Sequence, residues 1–250
     1  MRYFTETKKF YYGFLIILPF LFVYEWGLKY EVLGKNINGA DAILRFILLF
    51  LFQVIGVSIT RWLVGVILTV GAIWFFLYLK KKNIRINVSY LLGMLLESLA
   101  LAFLFGLAVS ILLTHSLPDI FTFSVGKGVE SQLSFFGIVG FWPKIISGIG
   151  AGLFEELLFR ALLLRFACSL FSGQTGRVFG ADAKTFFKAS VLVSSLFTFI
   201  HFGSVSGLGA YISIFISSMM LSYIFQKRGY GITALTHSFY DIYLMFGIIS

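Results

Sequence analysis

Apolar runs recur along almost the whole chain, near 10–28, 42–60, 62–79, 89–114, 133–171, 186–203, 207–226 and 229–249, separated by short polar gaps. A helix needs roughly 20 apolar residues to cross a bilayer, and most of these runs approach that length. The pattern predicts an all-α fold, a polytopic transmembrane bundle of about eight helices. The fifth run is too long for one crossing. Pro143 followed by Lys144 predicts its division into a lead-in at 133–142 and a main helix from about 144. The segment 115–132, HSLPDIFTFSVGKGVESQ, is the one long polar connection among the later runs and is expected to face outward.

Composition reinforces this picture. The chain is 59% hydrophobic and only 12% charged, against about 45–50% apolar and about 25% charged for soluble domains. Its mean hydropathy is +0.94. No polar segment is large enough to fold as a separate soluble domain. The expected organisation is one integral membrane domain, with N-terminal membrane helices over 1–130 and a second group of membrane helices over 131–250. Bulky Phe, Tyr and Trp stand where a signal-peptide cleavage site would need small residues, so the first span is expected to be retained. Cys168 is the only cysteine, which excludes an intrachain disulfide and a cysteine metal cluster.

The net charge of +9 raises the question of nucleic acid, but Lys80, Lys81, Lys82, Arg85, Lys227 and Arg228 occupy gaps between apolar runs. Such charges set orientation on the cytoplasmic side and point to a bilayer, with no nucleic-acid partner. They place 172–188 and 227–228 in the cytoplasm. Eight spans then put the N-terminus outside. If either 42–60 or 62–79 is not a full span, the N-terminus moves inside. Residue usage points to a bacterial cytoplasmic (inner) membrane.

Charges inside the runs are the candidate chemistry. The stretch GAGLFEELLFRALLLRF, residues 150–166, carries Glu155, Glu156 and Arg160. Each ionisable side chain at a membrane helix centre costs on the order of 2.5–3.5 kcal/mol. At about 100° per residue, Arg160 lies about 40° around the axis from Glu156 and about 140° from Glu155. Glu156 and Arg160 can therefore pair within the helix, while Glu155 has no in-helix partner. A carboxylate in that position is a usable general base. The alternative is that all three tie helices together.

Two histidines sit in later runs. His201 follows Phe197 by four residues, and Asp241 follows His237 by four, so each pair shares a helical face. Groups of this kind converged on one water could hydrolyse a bond. Glu97 in mid-run is read as contacting another helix or lining a cavity. Arg45 and Glu25 are read as snorkelling near span ends. The serine-rich SIFISSMMLSY (213–223) and Gly148, Gly150 and Gly152 are read as close-packing positions.

The three motifs in order, Glu155-Glu156-x-x-x-Arg160, Phe197-x-x-x-His201 and His237-x-x-x-Asp241, resemble the CPBP (Abi) family: type II CAAX prenyl proteases and bacteriocin-processing or self-immunity proteins. The resemblance covers about residues 140 to 245. It implies an intramembrane endopeptidase of about eight helices, with residues 131–250 as its catalytic core and a polar site that opens toward the cytoplasm. Its substrate would be a membrane protein, peptide or lipidated peptide. Carried over by position, Glu155 and His201 would activate water, and His237 and Asp241 would stabilise the oxyanion. Glu156, Arg160 and Phe197 would support the site. The CAAX-processing members are described with asparagine where this chain has Asp241, and an ionised aspartate cannot donate to an oxyanion. The family is described both as glutamate-dependent and as metal-dependent. The residues favour a metal-free water and no cofactor. The alternative is zinc on Glu155, His201 and His237, although no H-E-x-x-H helix is present.

Two other functions fit the same residues. One is a non-proteolytic scaffold or bacteriocin-immunity protein that binds a partner in the same cavity. The other is a small transporter with a proton relay through Glu97, Glu155 and the histidines, for which the chain lacks a repeated half.

Overall fold

The computed structural model describes residues 2–30, 32, 38–54, 61–116, 140–172, 181–202 and 208–249. Among them the chain forms nine helices. They are α1 (Arg2–Glu6), α2 (Phe10–Lys29), α3 (Gly39–Val54), α4 (Arg61–Lys81), α5 (Val88–Ser116), α6, α7 (Ala183–Ile200), α8 (Leu208–Arg228) and α9 (Tyr230–Met245). The helix α6 is one continuous run with α-helical ends, Phe141–Gly150 and Arg165–Ser172, and π-helical segments at Ala151–Glu155 and Leu157–Leu164. The all-helical expectation holds, and each apolar run contains a helix.

The count of about eight crossings is not what length and apolarity select. Among the described residues four helices meet both conditions: α2, Val88–Ile111 of α5, α7 and α8. Helices α3 and α9 have 16 residues each, about 24 Å of helix against a hydrocarbon core of about 30 Å. Pro143 does not divide two helices within the described residues. It sits in the first turn of α6, which begins at Phe141, where a missing N–H leaves no helical bond unmade. Most of the expected lead-in at 133–142 lies outside the described residues.

Helix ends follow local rules. Asp182 caps α7, its carboxylate accepting from the N–H groups of Lys184 and Thr185, each at 3.0 Å. A single Gly229 at φ +78° separates α8 from α9, a left-handed turn that reverses the chain without side-chain strain.

Helix α9 is the central element, buried continuously from Gly231 to Ser238. Its start meets α2 at backbone distance. A Cβ on Gly231 would come 2.6 Å from the Cα of Gly13, so this crossing requires glycine. Around it Tyr12, Ile16, Met94, Ile149, Leu153, Ile232 and Leu235 form one core shared by α2, α5, α6 and α9. A second core of Phe159, Leu164, Cys168, Val193, Phe197 and Phe225 joins α6, α7 and α8.

One end of the bundle is tied by Arg228. Its guanidinium donates to Glu97 Oε2 at 2.7 Å, to the Phe4 carbonyl at 3.1 Å and to Thr7 Oγ1 at 3.0 Å. Tyr3 O–H donates to the same Glu97 carboxylate at 2.7 Å. Burial, and then that carboxylate, hold the Tyr3 hydroxyl well above the ordinary tyrosine range, so it stays a donor. Glu97 thus contacts other helices, as one reading had it, while Arg228 is an interior tie rather than a flanking charge.

The same end gathers the start of α2 and the 82–87 turn, where the Asn87 N–H donates to Tyr12 Oη at 3.0 Å. Phe14 packs on Phe75 of α4 at 4.4 Å between ring centroids. The N-terminus and Lys80–Lys82 therefore share one side, and α3 and α4 together carry the chain back across only once. This corrects the arrangement of eight spans with the N-terminus opposite the lysines.

Glu97→Leu, which leaves the Arg228 charge facing an apolar wall, is expected to destabilise the fold by about 3 kcal/mol. Glu97→Leu/Arg228→Met should lose less. Thermal unfolding in detergent compares the two, and equal losses would show that the pair is not coupled.

Candidate active site between α6 and α9

The site is built where α6 and α9 touch. Gly148 faces Ile242 and Ser238, and a Cβ on Gly152 would overlap Ser238 and the Ala234 carbonyl. Gly150 seats the ring of Tyr24 from α2. All three glycines are packing positions, and together they let the backbone carrying the glutamates lie directly on the backbone carrying His237.

The π-helical turns matter at this contact. A π turn closes i→i+5 bonds, so it is wider and the angle between neighbouring residues is smaller than in an α-helix. Adjacent Glu155 and Glu156 then both reach His237, which an α-helical wheel does not anticipate. Glu156 Oε1 lies 2.7 Å from His237 Nδ1, and Glu155 Oε2 lies 4.0 Å from His237 Nε2. The Tyr230 hydroxyl donates to the Leu153 carbonyl inside the π segment at 2.7 Å, a side-chain bond taken up by the loosened ladder.

Glu156 is the pivot. It is fully buried and forms an ion pair with fully buried Arg160 at 3.0 Å, the in-helix pairing expected from spacing. The second contact, to His237, was not expected. Arg160 Nη2 donates to Ser218 Oγ at 2.9 Å, and its guanidinium lies over the Phe197 ring at 4.7 Å, a cation–π contact strengthened by the dry surroundings. Ser218 belongs to the serine-rich stretch of α8, and the hydrogen-bonding role read for that stretch is realised here.

Phe197 links the two histidines. Its ring centroid stands 4.7 Å from that of His201 and 6.3 Å from that of His237. His201 closes α7, with Nδ1 2.8 Å from the Phe197 carbonyl. A carbonyl only accepts, so Nδ1 carries the proton and Nε2 holds the basic lone pair. Asp241, one turn beyond His237 on α9, places Oδ2 3.5 Å from His237 Nε2, and it lies within electrostatic reach of His201. The expected residues Glu155, Glu156, Arg160, Phe197, His201, His237 and Asp241 thus fall in one region. Glu155 is joined to His237, while His201 enters through Phe197.

One site residue was not found from sequence. Asn38 Nδ2 donates to Glu155 Oε1 at 2.8 Å. Its orientation is determined by the start of α3, where Asn38 Oδ1 accepts from the Ala40 N–H at 2.9 Å, leaving only the NH₂ for the glutamate. The Asn-Gly-Ala-Asp signal at 38–41 marks a helix N-cap, but nothing local says that the cap reaches a residue 117 positions away. The Tyr24 hydroxyl donates to Asp41 at 3.0 Å and Arg45 donates to Asp41 at 2.6 Å. Arg45 also pairs with Glu25, so these two side chains hold α3 to α2 rather than snorkelling independently.

Among the described residues no three His, Cys, Asp or Glu side chains are grouped so as to hold a metal ion. The zinc set of Glu155, His201 and His237 does not form such a group, and no step below is routed through a metal.

Glu155, Glu156, Arg160 and His237 are buried, and His201 and Asp241 half-buried, in one polar cluster between helices of an apolar bundle, the class of intramembrane polar site. Residues 137–243 match the family described as type II CAAX prenyl endopeptidase Rce1-like. The matched segment contains all three motifs, and over it the chain is similar to this family of CAAX-type proteases. No curated protein sequence and no solved structure matches the chain.

Arg160→Met leaves Glu156 buried beside His237 without its counter-charge, and a stability loss of about 3–5 kcal/mol is expected. Adding Glu156→Gln should recover part of it. Detergent thermal shifts of the single and double variants decide whether the pair is coupled as described.

Proposed function

We propose that the protein is an intramembrane endopeptidase that hydrolyses a peptide bond in a membrane-associated or lipid-anchored substrate. The observation that supports this best is the convergence of Glu155 and Asp241 on His237 Nε2, beside a His201 whose Nδ1 is held by the Phe197 carbonyl.

In this reading Glu155 is the general base. The amide of Asn38 holds one of its oxygens and leaves the other for water. His201, fixed through Nδ1–H, shares the proton through Nε2. The attack forms a C–O bond at the scissile carbonyl as the water proton passes to the Glu155–His201 pair. His237, protonated on both ring nitrogens, donates from Nε2–H to the developing oxyanion while Glu156 accepts from its Nδ1–H. Asp241 acts by orienting His237, because an ionised carboxylate cannot itself donate to an oxyanion. Collapse of the tetrahedral intermediate breaks the C–N bond, and the stored proton leaves with the amine. Glu156, Arg160 and Phe197 position these groups without touching substrate.

The expected result is that Glu155→Ala and His201→Ala each reduce cleavage by about 10²–10⁴-fold, while membrane insertion and thermal stability stay near wild type. Comparison of peptide termini in cells carrying wild type or Glu155→Ala identifies the substrate as a membrane protein that loses a cleaved end. If both variants turn over normally, the proposed water activation is wrong. If Glu155→Ala keeps full biological activity in complementation, the scaffold or immunity reading replaces the protease.

A further inference from the structure

A cavity of about 410 Å³ opens beside the Arg228 tie, between α1, the start of α2 and the 82–87 turn that leads into α5. Its wall includes Arg2, Glu6, Tyr12, Arg85, Asn87 and Tyr90. None of these residues belongs to the site between α6 and α9. Aromatic rings hold its shape. Tyr90 packs edge-on against Tyr3 of α1 at 5.6 Å between ring centroids and lies 5.9 Å from Tyr12 of α2.

The wall is rich in donors. Tyr12 is only 2% exposed. Its hydroxyl oxygen accepts from the Asn87 N–H at 3.0 Å, and among the described residues nothing accepts its proton. Asn87 caps α5, its Oδ1 accepting from the Ser89 N–H at 3.0 Å, so its NH₂ is what remains for the cavity. Arg2 and Arg85 are exposed, and among the described residues no carboxylate is in ion-pair contact with either. The carboxylate in the wall, Glu6, lies within electrostatic reach of Arg2 but is already engaged. Lys9 donates to its Oε1 at 2.7 Å and the Tyr11 hydroxyl to its Oε2 at 3.3 Å. With Arg2, Arg85 and Lys9 set against Glu6, the surroundings carry two positive charges in excess. A buried hydroxyl with an unpaired proton, an amide and two guanidiniums around one space suit an anion with several oxygens.

Depth in the membrane says which anion. Both α2 and α5 are long and apolar enough to cross a bilayer, and the cavity lies at the first turn of each, Tyr12 in one and Val88 in the other. That is the level of lipid headgroups, where tyrosines also concentrate. Leading away from the cavity, Val88, Leu92 and Leu96 stand four residues apart on one face of α5 and are 65%, 58% and 66% exposed. They form an apolar strip on which an acyl chain can lie. Lys80, Lys81 and Lys82, at the end of α4 and the turn after it, are exposed as well and add to the attraction for a negatively charged headgroup. An inorganic phosphate meets the donors but has nothing to place on the strip.

We propose that this cavity is a headgroup site for an anionic phospholipid. The phosphodiester sits between Arg2 and Arg85, the Tyr12 hydroxyl and the Asn87 NH₂ donate to its oxygens, and one acyl chain follows Val88, Leu92 and Leu96. Because Tyr3 of α1 also donates to Glu97, a lipid bound here fastens α1 to α5 and strengthens the Arg228 tie. No group of the candidate active site takes part, so the assignment stands apart from the hydrolytic reading.

The test uses the full chain, delipidated in detergent, with phosphatidylglycerol, phosphatidylcholine and inorganic phosphate as probes. Native mass spectrometry reads binding and thermal unfolding reads stabilisation. Phosphatidylglycerol is expected to bind as a single adduct and raise the unfolding temperature, phosphatidylcholine to bind at least about 10-fold more weakly, and inorganic phosphate to do neither. Equal binding of the two lipids overturns the anionic headgroup, and equal stabilisation by inorganic phosphate replaces the lipid with a free anion. Arg2→Gln/Arg85→Gln is expected to weaken phosphatidylglycerol binding about 10–30-fold. Asn87→Asp keeps the cap of α5 while placing a negative charge among the donors. It should weaken binding similarly, with an unfolding temperature in lipid-free detergent near that of wild type. Lys80→Gln/Lys81→Gln removes two charges from the same end but outside the cavity, and binding should be retained. Wild-type affinity in the arginine and Asn87 variants, or an equal loss in the lysine variant, overturns the site.

Discussion

Charge burial in an apolar bundle is the constraint on which the rest of this structure depends. Glu156 and Arg160 are fully buried, and neither could remain ionised there without the other. Their pairing along α6 makes a glutamate available at a fixed place inside the membrane, and that glutamate then fixes the imidazole of His237. The geometry requires two backbones to lie nearly in contact. Gly148 and Gly152 on α6, set against Ala234 and Ser238 on α9, provide that approach. Larger residues would push His237 out of reach and leave two charges with no compensation.

The same logic recurs at the other end of the bundle with different residues. Arg228, Glu97, Tyr3 and Thr7 neutralise and satisfy one another, which anchors the N-terminal helix to α5 and α8. Between the two polar knots α9 is apolar and closely packed. The knot at Arg228 is closed by its own hydrogen bonds, whereas the knot at His237 leaves nitrogen and carboxylate groups directed toward a half-buried opening. That difference is why one reads as a structural tie and the other as a place for chemistry.

The family match spans 137–243, but the site does not end at its boundary. Asn38 holds Glu155, and Tyr24 fills the space over Gly150 while binding the first turn of α3 through Asp41. The N-terminal helices are therefore part of the site's wall, and the polar start of α3 holds Asn38 in place through the Ala40 N–H.

Composition and periodicity were enough to establish an all-helical membrane protein, because the cost of exposing backbone polar groups to lipid leaves few alternatives. Spacing within one helix was enough to pair Glu156 with Arg160 and to put Phe197 with His201 and His237 with Asp241, because those neighbours are four residues apart. The widening of α6 into π turns, the contact of both glutamates with His237, the bond from Asn38 and the joining of the N-terminus to Arg228 were decided only by the tertiary structure. Each depends on how closely particular backbones approach. Glycine and alanine permit such an approach wherever they occur, but they do not say which helix will make it.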